Sequence, residues 1–550
     1  LMTASRLLIL GPVAFLAVFF LYPLVAILAR SFSGGALGLE SFSGLLSDSY
    51  YLGRIWFTTW QAALSTLLTM VLGLPAAYLF ARHEFPGKTV LKALTTLPFI
   101  MPTIVVAMGF IALLGPQGLV NTALTGLLGP DAPQVRLTNT LVIIFMAHAF
   151  YNYAIVVRIV SAFWANLTPR FGESAAMLGA GRVRTFFHVT LPLLLPSLWS
   201  SAVLVFVFSF TSFGVVLVLG GPRFATLEVE IYQLTVKLFR LELAGALAIV
   251  QLVFTYVVLL VYARLQERST VTITLVPHEA VTRRKKGWRD MLLVAGIVVV
   301  LLIVLSPLWA LVERAATVGG GYSFANFTGL FVNESGSYFY ASPFRVIWNS
   351  LRFALASMTI AMLVGTAVAY LLARPRRRAS VLDALFMMPL GVSAVTLGFG
   401  FLIALNRPPL DLRGSWLILV IAHSLVAYPF VIRSLLPVLR GMPGHLKESA
   451  AMLGATPLSV FIHIELPIIA RALLVGATFA FAVSMGEFGA SMLLVRPEFA
   501  TIPVAIFRLL SQPGASNLGQ ALAMSSLLMA VVALGFVVIE RFRYREVGGF

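Results

Sequence analysis

The sequence contains no cysteine, and only 11% of its 550 residues are Asp, Glu, Lys or Arg. The lack of cysteine excludes disulfides, thiolate nucleophiles and cysteine metal sites, although it does not decide the compartment. The scarcity of charge excludes a soluble protein of this size, because a soluble surface must be covered by charged and polar side chains. Hydrophobic residues make up 59% of the chain instead. The sequence therefore predicts a membrane protein.

Apolar runs recur along the whole length, and many reach the roughly 20 residues that a helix needs to cross a bilayer. A β-barrel would show short alternating strands instead, so the predicted class is an all-α polytopic membrane protein. The sequence predicts twelve spans, near residues 7–29, 58–81, 90–114, 139–163, 191–218, 243–264, 289–312, 349–373, 382–405, 415–437, 467–494 and 519–540. The first is too long for a cleavable signal peptide and lacks a small-residue cleavage site.

The net charge of +18 raises the question of nucleic-acid binding. With both termini placed in the cytoplasm, most of the 39 Lys and Arg residues fall on the inner side, as the positive-inside rule requires. The densest basic runs, at 283–286 and 374–378, flank spans at the inner surface, where anionic headgroups attract them. This distribution indicates a lipid bilayer rather than nucleic acid as the partner of the basic residues.

One octapeptide, Glu-Ser-Ala-Ala-Met-Leu-Gly-Ala, occurs twice, at 173–180 and at 448–455. The offset of 275 residues is half the chain length, and the same register pairs further residues in the neighbouring spans. An internal duplication follows. Six spans in each half place both halves in the membrane with one orientation, as parallel repeats. The predicted organisation is a first transmembrane half over 1–264, a cytoplasmic linker over 265–288 and a second transmembrane half over 289–550.

Both copies of the octapeptide lie in predicted cytoplasmic loops. Helix-forming residues from Glu173 to Ala180, a break at the glycines, and a second run from Arg182 to Thr190 predict two short helices, after which Pro192 opens the next span. The small alanine and glycine residues allow the backbone of another protein to approach closely. The carboxylate of Glu173 can pair with an arginine of that partner protein. An ordinary interfacial helix is the alternative, but such helices usually present bulky apolar and basic faces. The duplication predicts two identical partners.

This loop, Glu-x-Ala-x-x-x-Gly followed by Leu-Pro, resembles the EAA coupling loop of ABC importer permeases. Ser174 and Ser449 replace the usual first alanine, a minor departure. The residues that the resemblance assigns to ATPase coupling are Glu173, Ala176, Gly179, Leu191 and Pro192 in the first half, and Glu448, Ala451, Gly454, Leu466 and Pro467 in the second. Over nearly its full length the chain is similar to the fused twelve-span permeases of the thiamine and ferric-iron import group.

The resemblance implies a type I importer permease fold of two pseudo-symmetric six-helix halves in a bacterial or archaeal inner membrane. It also implies two copies of an ABC nucleotide-binding subunit, which hold ATP and Mg, and an external or periplasmic substrate-binding protein. No cofactor is expected in this chain, and it is not expected to be an enzyme. Its only P-loop fragment is Gly87-Lys88-Thr89, and Arg82 stands where the motif requires its first glycine.

The sharpest candidate for the substrate pathway is Glu487, a carboxylate inside the predicted eleventh span. An ionisable group at that depth is costly and normally faces a bundle interior or a cavity. Ser212 takes its place in the first half, so the repeat symmetry breaks there. Two interpretations stay open: Glu487 assists a cationic substrate or gates the pathway, or it makes a structural hydrogen bond to neighbouring helices.

Four further pathway candidates occupy matched positions, with His148 paired to His423 and Tyr153 paired to Tyr428. Such side chains more often satisfy one another between packed helices than bind a ligand. No cluster of histidine and carboxylate residues has convincing metal-ligand spacing, so no metal site is predicted.

The predicted substrate is a small, cationic solute, with thiamine and ferric iron as the leading candidates and polyamines and phosphonates still open. The main alternative is an ion-coupled secondary transporter with six plus six spans. That class would call for more buried carboxylates than Glu487 and would leave the paired loops unexplained. A channel or a membrane-bound enzyme fits still less well for the same reason.

Overall fold

The structure is a computed structural model that describes residues 10–32, 40–85, 87–165, 167, 170–268, 283–284, 288–332, 342–373, 379–406, 408 and 410–544. The helices of the first half are α1 (Tyr22–Ser31), α2 (Glu40–Ser47), α3 (Ser49–Arg82), α4 (Lys88–Ile100), α5 (Thr103–Leu114), α6 (Leu119–Leu128), α7 (Leu141–Ala165), α8 (Arg170–Met177), α9 (Arg182–Thr185), α10 (Leu191–Phe210), α11 (Gly214–Leu219), α12 (Leu227–Val236) and α13 (Leu241–Arg268).

The helices of the second half repeat most of this order: α14 (Trp288–Ala315), α15 (Ala325–Gly329), α16 (Pro343–Ala373), α17 (Ala379–Gly391), α18 (Ala394–Ala404), α19 (Leu417–Gly441), α20 (Gly444–Met452), α21 (Pro457–Val460), α22 (Leu466–Gly486), α23 (Gly489–Leu494), α24 (Ile502–Leu510) and α25 (Ala515–Tyr544). Two-residue strands form two small sheets. In one, β1 (His83–Glu84) pairs in parallel with β2 (Arg283–Arg284), and in the other β3 (Thr317–Val318) pairs antiparallel with β4 (Gly321–Tyr322).

The predicted all-α polytopic class is confirmed. Within the described chain, 11 helices are long and apolar enough to cross a membrane, or 12 if the bent pair α17–α18 is counted as one span. The count therefore agrees with the twelve spans that hydrophobicity predicts. The helices bury apolar side chains from both halves in one main cluster.

Several predicted spans are broken rather than straight. The stretch 90–114 predicted as one span contains α4 and α5, which are separated at Met101 and Pro102, and the helix long enough to cross a membrane runs instead over Thr103–Leu128, which contains α5 and α6. Helix α17 meets α18 at an angle of 107°. The spans predicted to end at 218 and 494 end instead at Phe210 and Gly486 and are followed by short helices. Proline and glycine explain these breaks, because proline lacks an N–H donor and glycine favours non-helical backbone.

The two halves share their internal packing. Helix α3 packs along α7 and α10, and α16 packs in the same way along α19 and α22. In each half, a side-chain hydroxyl of the long helix α3 or α16 accepts a hydrogen bond from the first backbone N–H of a later helix, α12 or α24. Leu227 donates to Oγ1 of Thr58 at 3.0 Å, and Ile502 donates to Oγ of Ser350 at 2.8 Å. The duplication read from the sequence is therefore also a duplication of contacts.

The first long helix of each half packs on the other half. Helix α1 lies against α18, and α14 lies against α5. Gly109 in α5 allows the second contact, because a Cβ at this position would stand 2.8 Å from the carbonyl oxygen of Pro307. The halves are consequently interlocked, so each half contributes a helix to the packing of its neighbour.

Most of the predicted linker 265–288 lies outside the described residues. Its described part contains the end of α13 and the strand β2, which pairs with β1 at the end of α3. The boundaries predicted for the two halves at 264 and 289 stay a prediction.

Candidate coupling loops and central cavity

The first copy of the octapeptide forms the end of α8 and the turn that follows it. Gly179 has a φ of 79°, the left-handed conformation that ends many helices. Its N–H donates to the carbonyl of Ala176 at 3.0 Å, and the N–H of Ala180 donates to the carbonyl of Ala175 at 3.0 Å. These two bonds satisfy carbonyls that the end of the helix leaves without partners.

The second copy adopts the same geometry at the end of α20. Gly454 has a φ of 80°, its N–H donates to Ala451 at 3.0 Å, and the N–H of Ala455 donates to Ala450 at 3.0 Å. A Cβ at either glycine would meet nothing within 4 Å. The glycine is therefore required by the backbone conformation and not by crowding.

Each turn exposes an apolar pair. Met177 and Leu178 are each 89% exposed, and Met452 and Leu453 are 89% and 88% exposed. Glu173 and Glu448 are also exposed on the preceding helices. Large apolar side chains that stand free in matched positions indicate a surface for a protein partner. The Met-Leu pairs were not among the residues predicted from the sequence, where the small and charged residues of these loops pointed to a partner.

The Leu-Pro pairs lie at the first residues of α10 and α22, but each of these helices continues without a break from the short helix before it. One wide helical turn, Phe186–Thr190, joins α9 to α10, and an equivalent turn, Phe461–Glu465, joins α21 to α22. Each turn ends just before Leu191-Pro192 or Leu466-Pro467. Because proline cannot donate the usual helical hydrogen bond, the helix widens to pass it. The prediction that Pro192 opens a span is therefore wrong: the helix enters the span from Arg182.

The second loop carries contacts that the first lacks in sequence. Nζ of Lys447 lies 2.7 Å from Oε1 of Glu465, and the hydroxyl of Tyr370 donates to Oε2 of Glu465 at 2.6 Å. These bonds tie α20 to the wide turn and to α16. At the same offset of 275, the first half has Gly172 and Thr190 in place of Lys447 and Glu465. The loops are thus matched at their exposed tips and different at their bases.

A cavity of about 240 Å³ lies between the halves. The two halves touch beside it through Phe213 and Phe488, whose ring centroids are 5.5 Å apart. Three of the six predicted pathway residues line it, namely His148, Ser212 and Glu487. This volume is slightly below the range of about 300–1,000 Å³ typical of sites for drug-sized ligands, so it suits a small solute.

The other three predicted pathway residues are buried in helix packing and are not among the residues lining the cavity. The hydroxyl of Tyr428 donates to the carbonyl of Phe386 at 2.5 Å, and Tyr153 packs in an apolar cluster with Phe80 and Val157. His423 is buried next to Glu487, behind the cavity wall. The assignment of His423, Tyr153 and Tyr428 to the substrate pathway stays a prediction. Their positions away from the cavity do not favour it.

Glu487 is held by three hydrogen bonds from its own half and lies beside a histidine. Its carboxylate accepts the N–H of Ala490 at 2.9 Å, the N–H of Ser491 at 3.0 Å and the hydroxyl of Ser491 at 2.9 Å. Nε2 of His423 lies 3.3 Å from Oε2 of Glu487. A carboxylate that accepts the first N–H groups of a helix stabilises that helix, here α23. The geometry favours the structural interpretation of Glu487, although the side chain also lines the cavity.

Sequence reasoning missed Glu228, which is completely buried and lines the same cavity. Its carboxylate accepts hydrogen bonds from Gln251 in the first half and from the hydroxyl of Ser393 in the second half, at 2.8 Å for Ser393. Glu228 lies in the stretch between the spans predicted at 191–218 and 243–264, and this stretch folds back against the bundle as α12. A search restricted to the predicted spans passes over it.

Glu230, two residues further along α12, belongs to the outer edge of this region. Its carboxylate accepts the hydroxyl of Tyr50 at 3.0 Å and lies 4.0 Å from Nε of Arg54. Burial raises the pKa of Glu230, and the hydrogen bond from Tyr50 and the charge of Arg54 oppose that rise. Glu230 does not line the cavity and joins α12 to α3.

Comparison with known proteins agrees with this geometry. Residues 69–271 match the family of binding-protein-dependent transport system inner membrane components. The thiamine transport system permease of Escherichia coli (strain K12) is 29% identical over 526 residues, covering 92% of each chain, and that of Brucella abortus (strain 2308) is 28% identical over 94% of this chain and 91% of its own. A probable ABC transporter permease of Sinorhizobium fredii is 25% identical over 95% of this chain and 94% of its own.

Among solved structures, a bacterial ABC transporter involved in the import of the acidic polysaccharide alginate matches with a TM-score of 0.42 and 20% identity. That match covers 48% of this chain and 96% of the other. The three sequence relatives named above match over nearly the whole of both chains, and all three are permeases. Over nearly its whole length the chain is similar to permease subunits of ABC importers, and residues 69–271 carry the match to the inner membrane components of binding-protein-dependent transport systems.

Proposed function

We propose that this chain is the permease of a thiamine importer and passes thiamine from an external binding protein into the cytoplasm. The observation that carries the proposal is the similarity to thiamine permeases over more than nine tenths of both chains. Ferric iron, the other leading candidate, has no comparable support among these relatives. The aromatic side chains around the central cavity also suit an organic cation better than a bare metal ion.

In this proposal each coupling loop binds one copy of an ATPase subunit, so one chain carries two. The Met177-Leu178 and Met452-Leu453 pairs enter apolar grooves of the partners, and Glu173 and Glu448 approach basic side chains at the rim. Both loops and both termini then face the cytoplasm. Closure of the two ATPase copies on ATP draws the loops together, and the helices that follow the Leu-Pro pairs move with them.

The matched turns support this coupling. Each loop reaches a long helix through one wide turn, and α10 and α22 both lead from that turn to the cavity region between the halves. A rigid helix transmits a displacement at one end to the other. The additional bonds of Glu465 connect the second loop to α16 as well, so the two halves are expected to respond unequally.

Uptake into proteoliposomes tests the substrate. The vesicles contain the permease with its ATPase, the binding protein is added outside, and ATP is enclosed. We expect labelled thiamine to accumulate with ATP and not with a non-hydrolysable analogue, and ferric iron not to accumulate in either case. Accumulation of ferric iron alone would refute the proposed substrate. Accumulation driven by an ion gradient without ATP would favour the secondary transporter instead.

A further inference from the structure

The two halves of the cavity wall differ in how they use a matched histidine. In the second half, Nδ1 of His423 lies 2.9 Å from Oγ of Ser484, and its Nε2 lies 2.9 Å from Oγ of Ser491 and beside Glu487. Both ring nitrogens therefore have partners within the protein. This histidine is fixed by its own half.

In the first half, only one of these three partners is kept: Ser209 matches Ser484, but it accepts a hydrogen bond from Asn152 instead. At the offset of 275, Val216 takes the place of Ser491 and Ser212 takes the place of Glu487. Nδ1 of His148 lies 3.0 Å from Oγ of Ser65, whereas its Nε2 has no hydrogen-bond partner in the described part of the protein. The ring is 2% exposed and lines the cavity. A buried polar atom in this position calls for a partner from the cavity.

Asn152 stands one helical turn after His148 on α7 and lines the same cavity. Its Nδ2 donates to Oγ of Ser209 at 3.2 Å, and its Oδ1 has no partner among the described residues, although the side chain is only 1% exposed. The matched residue in the second half is Ala427. One face of α7 thus presents two polar atoms that the fold leaves unsatisfied.

Glu228 adds a carboxylate to this polar wall. It comes from α12 of the first half, and Pro503 occupies the matched position in the second half. Neither of its two side-chain partners, Gln251 and Ser393, carries a charge. Among the residues that the structure describes, no backbone N–H and no histidine bonds to Glu228, in contrast to Glu487. Burial raises the pKa of Glu228 to about 7, and a cation in the cavity would favour the ionised carboxylate.

Aromatic side chains of both halves form the remaining wall. Phe430 and Phe479 are stacked with ring centroids 6.1 Å apart, and Phe99 lies 5.8 Å from Tyr151 and 6.0 Å from Phe208. All five line the cavity. Aromatic faces attract organic cations and stack with flat rings. They offer little to a small hard metal ion, which prefers several oxygen ligands.

We propose that the central cavity is a substrate site for a small aromatic organic cation, recognised by His148, Asn152 and Glu228 of the first half. The cation lies against the aromatic wall, Glu228 supplies the opposite charge, and the free atoms of His148 and Asn152 hydrogen-bond the polar edge of its ring. The second half contributes aromatic surface, while its own polar groups remain engaged in packing. The proposal rests on the proposed import of thiamine, and it adds a defined binding site within the permease.

Direct binding tests the site separately from transport. The complex of the chain with its ATPase is placed in nanodiscs without the binding protein, and thiamine binding is measured by calorimetry. We expect Glu228→Gln and Asn152→Ala each to weaken binding about tenfold or more, because each removes a hydrogen bond or charge from a desolvated ligand. Glu230→Gln is the matched control, since it changes a carboxylate on the same helix outside the cavity, and we expect wild-type affinity.

A second probe isolates the charge. The uncharged aminopyrimidine half of thiamine retains the flat ring and the amino group but lacks the cation. We expect Glu228→Gln to affect its binding less than twofold and Asn152→Ala to weaken it as it weakens thiamine. Equal losses for both probes with Glu228→Gln would overturn the charge assignment.

The outcomes separate the two proposals. If the wild-type system imports thiamine while both variants bind it and transport it with unchanged affinity and KM, the cavity site is wrong and the proposed function stands. If the wild-type system imports no thiamine, the proposed function fails. In that case the absence of thiamine binding to the nanodisc complex overturns the site as well, and binding that depends on Glu228 and Asn152 supports it.

Discussion

Replacing Gly179 and Gly454 together by valine is expected to reduce ATP-dependent uptake by about 30-fold or more, with the protein still present in the membrane. Both glycines adopt a left-handed backbone, with φ of 79° and 80°. Each non-glycine residue in that conformation costs about 1–2 kcal/mol, and a β-branched residue tolerates it least. The turn bonds of an exposed loop contribute about 0.5–1.5 kcal/mol each, so they do not hold the conformation against this strain.

The physical consequence is local. When the backbone of the turn leaves the left-handed conformation, the exposed Met-Leu side chains change their direction. They are then expected no longer to fit the proposed apolar grooves of the ATPase subunits. No other part of the described structure packs around either glycine, since a Cβ there meets nothing within 4 Å. The bundle itself is therefore expected to fold normally, and the loss appears in transport and in association with the ATPase.

The chain offers a matched control for this double variant. Gly181 is two residues after Gly179, and its backbone lies outside the left-handed region. The second loop already has Thr456 at the equivalent position. Gly181→Thr should therefore transport like the wild type. Normal uptake by the Gly179→Val, Gly454→Val variant would contradict the assignment of these turns to coupling.

Glu487→Ala is expected to lower the free energy of unfolding of the protein by about 3 kcal/mol, because it leaves several buried donors unsatisfied. The N–H groups of Ala490 and Ser491 lose their acceptor, and His423 loses its charged neighbour. Thermal unfolding in detergent, followed by size-exclusion chromatography, measures the effect. Glu498→Gln, which changes an exposed carboxylate in the same half, should leave stability unchanged.

Glu487→Gln then separates the two interpretations of this residue. The amide keeps one acceptor oxygen and removes the charge, so we expect partial loss of stability with transport per folded molecule within about twofold of wild type. Stability equal to that of the wild type together with a large fall in transport would instead support a direct role with the substrate. The three hydrogen bonds to the carboxylate and the neighbouring His423 are the reason for expecting the first result.

The sequence predicted the membrane class and the coupling loops because both depend on local signals. A span needs a long apolar run, and the loops carry an identical octapeptide with glycine at the position that requires a left-handed backbone. The wide turns before Pro192 and Pro467 could not be predicted from the sequence, because a proline at such a position is compatible with two helix geometries. The helix either begins there or, as in this protein, continues through a widened turn.

The cavity was harder to predict because it depends on three-dimensional asymmetry within a symmetric repeat. His148 and His423 look equivalent in the sequence, and only their neighbours in space distinguish them. Glu487 was predicted as a pathway residue because it is a carboxylate in an apolar span. Its hydrogen bonds are all made within its own half, however, and they favour a structural role. Glu228 escaped notice because α12 is a short helix between spans, and its approach to Ser393 joins residues 165 positions apart.

The mass of the intact complex most directly tests the central claim that one chain couples two ATPase subunits through its duplicated loops. The chain is purified from a membrane that also contains the ATPase, and native mass spectrometry determines the ratio of subunits. The account predicts one chain with two ATPase copies, and loss of both copies in the Gly179→Val, Gly454→Val variant. A wild-type complex with one copy or none, isolated in a state that still imports substrate, would contradict it.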